Sequence, residues 1–126
     1  MMDKLKRFIC MLGATMCIFG TAFTVSADTI EFNVTPPEDP YSYAVRKADW
    51  EQNFYVTGTS FSDSGSLFCF SQKTTDNDVC SYSMSITPNY RRNFAPYKRT
   101  AAPNELYELV TSASISGMNV KGRYTP

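Results

Sequence analysis

The sequence predicts an all-β protein, a small antiparallel β-sandwich of seven or eight short strands behind an N-terminal signal helix. Three observations carry this. Apolar residues recur with period two, helical periodicity is missing after residue 27, and turn residues punctuate the chain about every 8–12 positions. The chain has 126 residues. Residues 28–126 are enough for one domain and need no second.

The elements follow in chain order. Lys4, Lys6 and Arg7 precede a charge-free stretch from Phe8 to Ala27, and Val25-Ser26-Ala27 places small residues where a signal peptidase needs them. Residues 1–27 therefore read as a secretory signal cleaved after Ala27. The rival is an uncleaved anchor, but Gly13, Thr15, Gly20 and Thr21 dilute the stretch below an ordinary spanning helix. No second apolar run follows, so no integral membrane segment is expected after cleavage, and the protein is expected to be secreted.

Ile30, Phe32 and Val34 alternate with Glu31 and Asn33 as a first strand, stopped by the proline-rich TPPEDP. Tyr41, Tyr43 and Val45 alternate as a second, closing near Lys47. Residues 46–53 are the one helix candidate, of one or two turns, because KADWEQN lacks β-branched residues. Residues 54–59 form a third strand, and DSG at 63–65 turns the chain into a hairpin carrying Cys69 and Cys80. Residues 88–96 read as a long loop between prolines and residues 97–101 as a short strand. Residues 106–113 and a last strand from Met118 to Tyr124 complete the set.

Cys69 and Cys80 are the only cysteines outside the signal. In an oxidising compartment they admit one intramolecular pairing, and a hairpin register joining 69 to 80 and Leu67 to Tyr82 puts all four on one face. A loop of that size is worth ~3 kcal/mol in the chain-entropy model. Two buried thiols are the alternative. Phe68 and Phe70 then point to the opposite side, where another element is expected to cover them, and Trp50 reads as a core plug.

Composition limits the chemistry. The chain contains no His, which removes Ser-His-Asp, Cys-His and His-zinc arrangements. No cofactor or metal is implied: two sulfurs do not complete a zinc site, and Asp76-Asn77-Asp78 lacks the remaining ligands of a calcium loop. Glu38-Asp39, Asp49/Glu51 and Asp76/Asp78 could serve a carboxylate-dependent glycan hydrolase only if two of them converged. Turns account for them more simply.

Charge is divided along the chain. Residues 28–90 carry three basic and nine acidic side chains, and residues 91–126 carry six basic and two acidic. The excess concentrates in YRRNFAPYKR, where Arg91, Arg92, Lys98 and Arg99 alternate with Tyr90, Phe94 and Tyr97. Cations interleaved with aromatics favour an anionic surface through Coulomb attraction and ring contacts. These seven residues are the candidate binding site. The expected partner is an anionic cell-envelope surface or an extracellular protein. Nucleic acid is not expected, since four charges give only weak, salt-sensitive binding.

FYVTGTSFSDSG in mid-chain, YELVTSAS before a short turn and the ending VKGRYTP resemble small secreted β-rich proteins of Gram-positive bacteria, and more loosely the lactococcin-type bacteriocins. Gly122, Tyr124 and Pro126 match a glycine-aromatic ending of that group. The resemblance implies a secreted β-sandwich with bacteriocin-like activity as one form of envelope binding, and no catalytic residue. The chain departs from that type in being longer, poorer in Gly and free of His.

Overall fold

The computed structural model describes residues 28–126; the expected signal lies outside them. The described residues form nine strands and no helix. They are β1 (Ile30–Val34), β2 (Val45–Arg46), β3 (Asn53–Phe61), β4 (Leu67–Lys73), β5 (Asp76–Cys80), β6 (Met84–Ile86), β7 (Arg92–Pro96), β8 (Leu106–Ala113) and β9 (Val120–Thr125). One antiparallel sheet runs β1-β9-β3-β7. The other runs β2-β8-β4-β5, with β6 also paired to β4.

The period-two pattern does the sorting. Phe32 and Val34, Phe54 and Val56, and Val120 and Tyr124 turn inward from the first sheet. Leu67, Cys69, Ile86, Tyr107 and Leu109 meet them from the second. Gly122 sits opposite Phe32 on β1 and Gly58 on β3. A Cβ there would collide with the Thr57 carbonyl and come within 2.9 Å of the Phe32 ring, so only glycine lets β1, β9 and β3 close up.

Polar groups also cross the core. Ser71 Oγ lies 2.7 Å from Tyr97 OH and 2.6 Å from Tyr124 OH, joining β4 to both sides of the first sheet. Lys47 is fully buried: its Nζ donates to the Pro126 carbonyl at 2.7 Å, stands 3.5 Å from Asp49 Oδ1 and lies 5.5 Å from the Tyr97 ring centroid. Burial lowers the Lys47 pKa, and Asp49 and Asp28 oppose that shift.

Several sequence expectations are corrected. Residues 46–53 are not helical, because the Lys47 backbone pairs with Glu105 and Asn104 and draws the segment against the β8 side. The second strand shrinks to Val45–Arg46, and its phase slips at Ala44, so Val45 is buried while Tyr41 and Tyr43 face outward. The expected loop at 88–96 contains β7; as an edge strand it tolerates Pro96 at its end. Residues 97–101 form no strand. There the Gln52 side chain takes the place of a strand partner, accepting from Ala101 N at 2.8 Å and donating to its carbonyl at 2.9 Å.

The cysteine hairpin turns where expected, at Thr74-Thr75, but its strands do not keep the expected register. Lys73 pairs with Asp76 and Gln72 with Cys80 around a bulge. Cys80 therefore shares the outer face with Gln72, whereas Cys69 faces the core opposite Met84 and Thr111. An odd shift of register moves a side chain through the sheet, so there is no Cys69–Cys80 disulfide and both thiols are free. Cys69 is buried, which pushes its pKa up to about 12. Phe68 and Phe70 do lie outward, with Phe68 exposed. Trp50 is 65% exposed and plugs nothing.

Candidate functional site

The seven candidate residues of the 90–99 segment are separated by β7. Its alternation turns Arg92 and Phe94 to the outer face of the first sheet and Ala95 to the core. Tyr97, one residue beyond the strand, enters the core and packs edge-on against Phe54 and Tyr107. Tyr97 is thus a structural residue and not a contact residue, and burial raises its pKa strongly. Lys98 turns toward Tyr82, with Nζ 5.4 Å from that ring centroid, and Arg91 and Arg99 are exposed.

Arg92 and Phe94 meet residues that the segment-based reading did not include. Thr57 on β3 is in register with Arg92 on one side and Arg123 of β9 on the other. Arg123 is in turn opposite Glu31. One row across the face therefore reads Glu31, Arg123, Thr57, Arg92, and the two arginine backbones stand roughly 10 Å apart across β3. The next row places Thr125, Tyr55 and Phe94 together. The Arg92 guanidinium lies 3.8 Å from the Tyr55 ring centroid, and Phe94 packs against the same ring at 5.9 Å.

Tyr55 is itself held. Its hydroxyl donates to Glu51 Oε2 at 3.0 Å, and Asn53 Nδ2 donates to the same oxygen. These bonds, Asn53 first, lower the Glu51 pKa, while burial and then Glu51 raise that of Tyr55, so the phenol remains a donor. Tyr90 occupies the left-handed region at φ 59°. Asn89 and Asn93 bracket the next residue, accepting from Arg91 N and donating to its carbonyl, both at 2.9 Å. The two arginines, Tyr55, Tyr90, Thr57 and Thr125 line an open depression of about 310 Å³.

Arg123 also borders a larger groove of about 910 Å³, which passes Lys121 and the β1 edge and reaches Tyr41 and Tyr43. Glu31 and Asp39 line this groove as well. Tyr55, Lys121 and Arg123 were legible only as outward positions of alternating strands. Their signal was the phase of FYVT and VKGRYT, not a run of charge.

Among the described residues the ion pairs are Lys47–Asp49 and Lys73–Glu105, and neither uses Arg92, Lys121 or Arg123. No helix among them is long and apolar enough to cross a membrane. Comparison of the chain with protein-family models, with curated proteins and with solved structures finds no match.

Proposed function

We propose that the protein is a secreted, non-enzymatic β-sandwich that binds an anionic polymer of a cell envelope through the outer face of β3, β7 and β9. The cross-strand row Arg123, Thr57, Arg92 carries the reading, because it holds two cations on one rigid face with a hydroxyl between them. Guanidinium groups suit phosphate and carboxylate through paired N–H donors. Bacteriocin-like antagonism is a special case of such binding. The test is sedimentation of the domain starting at Asp28 with Gram-positive cell walls. Retention is expected to fall with added salt, and Arg92→Gln with Arg123→Gln is expected to abolish it while the fold persists. Retention indifferent to both changes overturns the proposal.

Glycan hydrolysis is a second reading, favoured by the presence of Glu31 and Asp39 in one groove. Hydrolysis needs two carboxylates held across one scissile bond in a shaped cleft, and both of these stand exposed, so binding is the better reading. Release of new reducing ends from wall glycans by the wild type, lost in Glu31→Gln or Asp39→Asn, would reverse that order.

A further inference from the structure

We infer that the bound polymer is an acidic glycan, whose anionic groups sit on Arg92, Arg123 and Lys121 and whose sugar rings run along the groove onto Tyr41 and Tyr43. This deepens the proposed binding function and rests on it.

The first observation is how the tyrosines are held. In the segment Tyr41-Ser42-Tyr43 the middle residue faces inward and is buried. Ser42 N donates to the Leu109 carbonyl at 3.0 Å, Ser42 Oγ accepts from Leu109 N at 2.9 Å, and Thr111 donates to the Pro40 carbonyl from both N and Oγ1. Two residues apart on a pinned extended segment, Tyr41 and Tyr43 project to the same side. They are 51% and 87% exposed. Solvated aromatic rings on a pinned backbone are contact surface, and a Tyr ring, with two rotatable bonds, loses little side-chain entropy on binding.

The second observation is continuity. Arg123 belongs both to the small depression beside Arg92 and to the groove that reaches the tyrosines. From β7 to β1 the path crosses three inter-strand steps, roughly 14 Å, before it reaches them. Cations occupy its middle and aromatics both ends, and Asn33 and Thr59 line its wall. Glu31 and Asp39 stand along the β1 side, so the anionic groups of the chain are held to the Lys121 and Arg123 side while its neutral ring faces pass the acids. An extended chain carrying charges, hydroxyls and apolar ring faces matches that order. A planar bilayer does not, because the tyrosines and Lys121 line a concavity.

The experiment titrates the domain starting at Asp28 with four probes: oligogalacturonate, which has rings and charge; polyphosphate, with charge alone; dextran, with rings alone; and phosphatidylglycerol vesicles. Wild type is expected to bind oligogalacturonate more tightly than polyphosphate and not to bind dextran. Tyr41→Ala with Tyr43→Ala is expected to weaken oligogalacturonate about tenfold and leave polyphosphate unchanged, whereas Arg92→Gln with Arg123→Gln weakens both. An unchanged thermal melt of each double variant confirms that the fold persists. If the tyrosine variant binds oligogalacturonate like wild type, or if vesicles or polyphosphate outcompete the glycan, the glycan inference falls and envelope binding stands. If wild type binds none of the charged probes, both fall.

Discussion

Ser71→Ala tests how the two sheets are joined. Ser71 is fully buried, and its hydroxyl is shared by Tyr97 and Tyr124, themselves 8% and 0% exposed. Removing Oγ costs little in buried area but strands two phenols in a site closed to water. A stranded buried hydroxyl costs about 1–3 kcal/mol. The two losses share one partner and do not simply add, so the expected destabilisation is about 2–4 kcal/mol, or roughly 10–25 °C in Tm for a domain of this size. Tyr124→Phe removes the group itself and leaves Ser71 paired with Tyr97. It should cost only about 0.5–1.5 kcal/mol. Urea unfolding followed by far-UV circular dichroism is the suitable assay, because Trp50 is exposed and reports poorly on the core. With equal m-values, two deletions of one hydroxyl oxygen each must differ, and the serine deletion must be the more damaging one. A loss below about 1 kcal/mol for Ser71→Ala, or a larger loss for Tyr124→Phe, refutes the reasoning.

The same phenols predict a response to alkali. Burial raises the Tyr97 and Tyr124 pKa values, so above about pH 10 the unfolded chain releases protons that the native state retains. Stability should therefore hold up to about pH 10 and decline above it, and Tyr124→Phe should soften the decline; a urea midpoint unchanged between about pH 8 and 11 contradicts this. In the native protein iodoacetamide should alkylate Cys80 and spare Cys69, whose pKa is pushed up to about 12 by burial. Intact mass of the domain starting at Asp28, which holds only these two cysteines, should show one label when folded and two when unfolded, and a form that takes no label after unfolding without reductant would restore the disulfide. Gly122→Ala should cost about 1–3 kcal/mol or more by forcing β3 and β9 apart, and an unchanged melting curve would contradict that packing.

Strand existence was largely legible in the sequence. The alternation of Ile30, Phe32 and Val34 and of residues 106–113 coincides with β1 and β8. What alternation alone does not fix is phase and partner. The Tyr41/Tyr43/Val45 series is uniform in sequence, yet burial of Ser42 under hydrogen bonds to Leu109 reverses its faces. The cysteine hairpin shows the same limit, since its turn falls where expected and a bulge just beyond it carries Cys80 to the outside. The candidate site was legible in half. Tyr90, Arg92 and Phe94 stand on the face, but Tyr97 belongs to the core. Arg123 and Tyr55 reach the site by strand pairing over sequence separations that no local motif records.

The sandwich is fastened unequally along its two long sides. On one side Tyr82 N donates to Pro96 O and Lys98 N to Cys80 O, so backbone bonds run from sheet to sheet like a spine. On the other side β1 pairs with β9 alone. The ties there are made by side chains, Lys47 Nζ donating to the Pro126 carbonyl and Ala48 N to Asp28 Oδ2, so the arginine row lies beside a backbone seam and the tyrosine pair beside a side-chain one. Amide exchange in β1, an edge strand whose outer side lacks a backbone seam, should accordingly outpace exchange at the middle of β3.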